Sequence, residues 1–158
     1  MSRISGAEAA VLAFSYEIKR LVVELNGALA ATFRPLGLTC VKADALMALE
    51  QLGPVSLNEL AGHLVAESGH PSRLISTLDA EGLVTRTRSD RDRRAVLISL
   101  TDRGRDLARR AREARQPLVA EFARRHGGDL DQVTERLRDV RDFLAGRADP
   151  DGNPDQKI

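Results

Sequence analysis

The sequence predicts a mainly α-helical fold carrying one small β-hairpin, and three observations lead there. Long apolar stripes recur at three- and four-residue steps near both ends of the chain. Shorter helical segments between them are bounded by capping and breaking signals. In the second half, two β-prone runs enclose an arginine-rich turn.

A chain of 158 residues, 42% apolar and 30% charged, suits one domain with helical extensions. No apolar run approaches the length of a bilayer span, and the first residues lack the regions of a secretory signal. One cysteine cannot form an internal disulfide, so a cytoplasmic location is expected. Three scattered histidines and that cysteine make no metal-spaced cluster, so no metal or other cofactor is expected. There is no nucleophile elbow, phosphate loop or zinc-binding HExxH, and no enzymatic activity is expected.

The net charge of +1 conceals an asymmetry. Residues 84–115 hold 11 Arg against 5 Asp and Glu, a surplus of 6, which leaves −5 for the rest. A local surplus in a nearly neutral chain points to a specific anionic partner.

The first helix is expected over residues 7–33. Val11, Phe14, Ile18, Leu21, Leu25 and Ala28 form its stripe, and Val22 and Leu29 widen it. A stripe that long needs a partner, either the internal core or a second subunit. "RPLGL" at 34–38 is a turn, and Thr39 caps a second helix running to about Leu52. Its apolar face is Ala45, Leu46, Leu49 and Leu52, and "GP" at 53–54 breaks it. Ser56 and Glu59 then form a capping box, with Val55 and Leu60 as its hydrophobic staple, for a short third helix.

After a loop at 67–69, Pro71 suits the first turn of a fourth helix, which therefore starts near His70. Leu74, Ile75 and Leu78 face inward while Ser72, Arg73, Ser76 and Thr77 share the opposite face. Gly82 fits the left-handed position that ends a helix, letting Leu83 fold back on Leu78. The hairpin follows, with strands at 84–88 and 95–100 and a polar tip at 89–94. Thr101 caps a fifth helix to about His126, kinked or divided by Pro117. Asp129 caps the last, whose stripe is Leu130, Val133, Leu137, Val140 and Leu144.

The helix–loop–helix–hairpin section has the plan of a winged helix-turn-helix. The expected organisation is a dimerisation helix at 1–36, a DNA-binding lobe at 37–100, dimerisation helices at 101–145 and a disordered polar tail at 146–158. The fold class is thus mainly α with a small β-hairpin wing, a winged helix-turn-helix with N- and C-terminal dimerisation helices.

Small polar residues on the fourth helix let it sit deep in a major groove. Arg73 would reach a guanine edge or a phosphate there, and Ser72, Ser76 and Thr77 would donate to phosphates and bases. His70, at the mouth of that helix, is placed for a phosphate. Arg88 and the tip residues Arg91, Arg93 and Arg94 suit a narrow, negative minor groove. Asp90 and Asp92 are read as braces that hold those guanidinium groups. Cys40, in the first turn of the second helix near Lys42, has a setting that favours a thiolate. A lone cysteine between Thr39 and Val41 is nonetheless ordinarily a small core residue.

These residues carry a resemblance. "GLV" at 82–84, "DRR" at 92–94, Thr101 and Gly104, with "LTCVKADALMAL" and "VSLNELAGHL" upstream, are similar to the MarR family of bacterial transcriptional regulators over about residues 7–145. The resemblance implies a homodimeric winged-helix regulator, usually a repressor, that binds pseudo-palindromic double-stranded DNA. It also implies release by a small, often aromatic molecule in many members, and cysteine oxidation as the signal in some. By position, Asp92 resembles the family's wing aspartate, Arg94 its wing arginine and Arg73 its recognition-helix arginine. The chain departs from the pattern at His70–Pro71, where a small hydroxylated and an aliphatic residue are usual, and at Asp79 in place of glutamate.

The function expected is that of a dimeric, sequence-specific DNA-binding regulator. Its effector crevice would lie where the first, second and fifth helices converge, lined by Tyr16, Phe33 and Cys40. The alternative is a winged helix used as a protein-interaction module, its arginines meeting an acidic partner.

Overall fold

Ser5 opens the first helix with a reciprocal cap. Its hydroxyl accepts the Glu8 amide at 3.2 Å, and the Glu8 carboxylate accepts the Ser5 amide at 2.7 Å. The computed structural model describes residues 5–64, 70–88 and 96–148. Helix α1 runs Gly6–Phe33 and ends in a single 3-10 turn, Arg34–Leu36, closed by Gly37 at φ 70°. Thr39 caps α2 (Cys40–Leu52) as expected, and Gly53 at φ 76° terminates it. The Ser56–Glu59 capping box is present at the head of α3 (Leu57–His63). Pro71 is the first residue of α4 (Pro71–Ala80).

The hairpin is β2 (Val84–Arg88) with β3 (Val96–Leu100), paired antiparallel so that Val84 faces Leu100, Arg86 faces Ile98 and Arg88 faces Val96. A third strand joins it. Val55–Ser56 forms β1 and pairs antiparallel with β3, giving the order β1-β3-β2. The sequence reading had only the hairpin, because two residues carry no strand periodicity and their partner lies some forty positions away. β1 ties the head of α3 to the wing.

Helix α5 spans Asp102–His126 and α6 spans Leu130–Ala148. α5 is continuous at Pro117 rather than divided there. α6 also includes Gly146, Arg147 and Ala148, which had been expected to begin a disordered tail; residues 149–158 of that tail lie outside the described residues.

The described residues divide into two compact units, one up to Gln116 and one from Pro117. The core of the first joins Phe33 from α1, Leu46 and Leu49 from α2, Leu60 from α3, and Ile75 and Leu78 from α4. Leu83, Val84, Ile98 and Leu100 close it from the sheet side. Each buried side chain of this size contributes roughly 1.5–3 kcal/mol relative to exposure. The first part of α5 buries only Gly104, Ala108 and Ala111, a small-residue edge that lets its backbone approach closely. Against this, Val11, Phe14, Leu21 and Leu25 of α1 remain between 43% and 63% exposed. In the second unit Val133, Leu137, Val140 and Leu144 of α6 are likewise exposed.

Candidate nucleic-acid interface

Helix α4 is tied down at its C-terminal end. At its C-terminus the Leu83 amide donates to Leu78 O at 2.9 Å and the Gly82 amide to Asp79 O at 2.9 Å, with Gly82 at φ 68°. These two hydrogen bonds form the left-handed helix stop expected from Gly82 and Leu83. Arg103 donates to the Glu81 carbonyl at 3.0 Å, which adds a cation to the negative end of the helix dipole. The Glu81 side chain pairs with Lys42 of α2.

The start of α5 is bonded to the same turn. The Thr101 amide donates to Leu83 O at 3.1 Å, and its hydroxyl donates to Gly82 O at 2.8 Å while accepting the Gly104 amide at 3.0 Å. The end of α4, the base of the wing and the head of α5 are therefore one hydrogen-bonded junction.

Ile75 and Leu78 anchor α4 in the core, and Ser72, Arg73, Ser76 and Thr77 lie together on its exposed face. Their hydroxyls are not all free, however. Ser76 Oγ donates to Ser72 O at 2.9 Å and Thr77 Oγ1 to Arg73 O at 3.0 Å, so their protons stay within the helix. What these two present outward are acceptor lone pairs, and Ser76 already uses one. His70 is the exposed residue that precedes α4, accepting the Arg73 and Leu74 amides on its carbonyl at 3.1 and 3.3 Å.

Arg86 makes a contact across the lobe that the sequence reading missed. Val84, Arg86 and Arg88 share one face of β2, since strand side chains alternate. Val84 enters the core, while Arg86 turns over α4, donating to Ser76 Oγ at 2.9 Å and lying 3.5 Å from the Asp79 carboxylate. The signal was available in the strand period, as an arginine two residues beyond a core valine on the core-facing row. Arg88 continues that row and is exposed. Arg91, Arg93 and Arg94, with Asp90 and Asp92, lie outside the described residues.

An open cleft of about 490 Å³ separates the α2 head from α4, lined by Thr39, Val41, Lys42, His70, Arg73, Leu74 and Thr77. Three nitrogen-bearing side chains therefore border one cavity.

The three residues expected to line an effector crevice are not brought together. Phe33 is fully buried in the core, whereas Tyr16 is 62% exposed. Seventeen helical residues separate the two, about 25 Å at 1.5 Å per residue. Cys40 is half-buried, with Sγ 3.8 Å from Asn26 O of α1.

Among the described residues no group of His, Cys, Asp and Glu could hold a metal, and no helix is long and apolar enough to cross a membrane.

The winged helix DNA-binding domain family matches residues 38–104. An organic hydroperoxide resistance transcriptional regulator of Bacillus subtilis is 29% identical over 109 residues, 69% of this chain and 74% of its own. A MarR family transcriptional regulator from Silicibacter pomeroyi is 25% identical with a TM-score of 0.70, covering 89% of this chain and 99% of that one. A mutant MarR from E. coli, solved in complex with operator DNA, has a TM-score of 0.73 at 20% identity, covering 86% and 99%. The chain is a DNA-binding transcriptional regulator with the winged helix-turn-helix fold of the MarR family.

Proposed function

We propose that the protein is a homodimeric repressor that holds a pseudo-palindromic operator with two copies of its winged lobe. The observation that carries this reading is the exposed face of α4, with Ser72, Arg73, Ser76 and Thr77, set beside the arginine row of the wing. α4 enters the major groove, where Arg73 reads a base edge or a phosphate and His70 meets the backbone. Arg88, with Arg91, Arg93 and Arg94 beyond it, follows the minor groove, and Asp90 and Asp92 brace the tip.

Dimerisation rests on the exposed apolar stripes of α1 and α6, which a water-facing helix would not keep. Residues 1–36 and 101–145 supply the dimer contacts and 37–100 bind DNA. Two lobes related by a two-fold axis then meet successive major grooves about 34 Å apart. Phosphate contacts supply much of the affinity, which therefore falls steeply with salt.

A small aromatic effector releases DNA if it binds a dimer whose lobe spacing does not match the grooves better than one whose spacing does. The protein works in the cytoplasm, where its operator is, without catalysis.

A gel-shift titration with DNA from the protein's own upstream region tests the reading. A sequence-preferring complex that weakens with salt is expected. Failure to form one at low salt, together with capture of an acidic protein through the same arginines, would favour the interaction-module alternative.

A further inference from the structure

We propose that the cleft between α2 and α4 seats a DNA backbone phosphate, and that Lys42 reaches this phosphate by leaving Glu81. The inference rests on the DNA-binding reading above and adds α2 to the interface.

His70, Leu74, Thr77 and Glu81 succeed one another at four-, three- and four-residue steps, so they form one edge of α4. The first turn of α2 faces that edge, with Thr39, Val41 and Lys42 lining the cleft together with His70, Arg73 and Thr77. Thr39 Oγ1 accepts the Lys42 amide at 3.3 Å, fixing the turn from which the lysine side chain extends. The helix dipole adds positive potential at that same end. A phosphate in the cleft meets Lys42 on one wall and Arg73 on the other.

In the free protein Lys42 is paired with Glu81, at the far end of the same edge. Glu81 is held there by its backbone, because Arg103 donates to its carbonyl. Its side chain is 40% exposed, so the carboxylate stays hydrated when the lysine departs. The pair is only partly buried, with the Lys42 side chain 21% exposed, and the lysine's four-carbon stem is flexible, so a phosphate can compete for it. Glu81 thus acts as an internal competitor of the DNA. It lowers affinity for every sequence alike, and Lys42 contributes positioning rather than base choice.

The test uses the full chain in gel-shift titrations over a salt series, on operator DNA that the wild type binds. Lys42→Gln should reduce the slope of log affinity against log salt by about 0.9 for each DNA-binding lobe. Glu81→Gln should tighten binding by roughly two- to fivefold, the worth of one partly exposed ion pair. That gain should vanish in the Lys42→Gln, Glu81→Gln double variant, because a Glu81 that acts through Lys42 has nothing left to release. Thermal melting by circular dichroism confirms that each variant is folded at the assay temperature.

A wild-type slope in Lys42→Gln would overturn the phosphate seat. The same gain from Glu81→Gln with and without Lys42 would overturn the exchange, leaving only long-range repulsion of DNA by Glu81. Wild-type protein that binds no DNA would instead overturn the DNA-binding reading, and this inference with it.

Discussion

Gly104, in the first turn of α5, lies so close to Leu83 at the base of the wing that a Cβ on it would stand 1.9 Å from the Leu83 carbonyl oxygen. That oxygen also accepts the Thr101 amide, so neither backbone can retreat without breaking the junction. The spacing of "GLV", Thr101 and Gly104 thereby acquires a physical cause, since these residues touch. Gly104→Ala should destabilise the fold by about 1–3 kcal/mol, as overpacking does in a rigid site. Urea denaturation measures this, and wild-type stability would mean that α5 can shift freely against the wing.

Thr101→Ala removes both the cap of α5 and the hydroxyl bond to Gly82. A loss of about 1–2 kcal/mol is expected from the cap alone. Thr101→Ser keeps the oxygen and should recover most of it in the same denaturation experiment.

Arg86→Ala separates the wing from α4 without emptying the core. Its contacts to Ser76 and Asp79 are exposed, so stability should change by less than about 1 kcal/mol. DNA affinity should fall by about fivefold, the equivalent of one net hydrogen bond near 1 kcal/mol. Unchanged operator binding in a gel-shift would remove this brace from the mechanism.

Asp44, on α2, carries a pKa raised by burial and only partly lowered again by Arg115. Its carboxyl therefore holds a proton more tightly in the folded state than in the unfolded one. The contribution of Asp44 to stability is greatest below the ordinary carboxylate range and falls as pH rises through it toward the folded value, because the unfolded chain then ionises more readily. Asp44→Asn should raise Tm at pH 7, with the difference closing as the pH drops through that range. A variant less stable than wild type at pH 7 would show instead that the Arg115 attraction outweighs burial.

Much of the fold was legible because its signals are local. Thr39, the Ser56–Glu59 pair, Pro71 and Gly82 each act within one helical turn, and each sits where its chemistry requires. The apolar stripes gave the buried faces of α2 and α4 for the same reason. What escaped depends on pairs distant in sequence. β1 exists only through its pairing with Leu97 and Ile98. The Arg86–Ser76 and Lys42–Glu81 contacts join separate elements, so no periodicity within one segment announces them. The exposed face of α4 was readable residue by residue. That Ser76 and Thr77 spend their protons on their own helix was not, because a serine or threonine pattern does not reveal its rotamer.

Selection of bound DNA from a random pool by the wild-type protein, followed by measurement of the mass of the complex, tests the central claim most directly. The account predicts an enriched pseudo-palindrome whose half-sites are centred about 10 base pairs apart, bound by two chains. A pool that never converges, or a single asymmetric site bound by one chain, would contradict it.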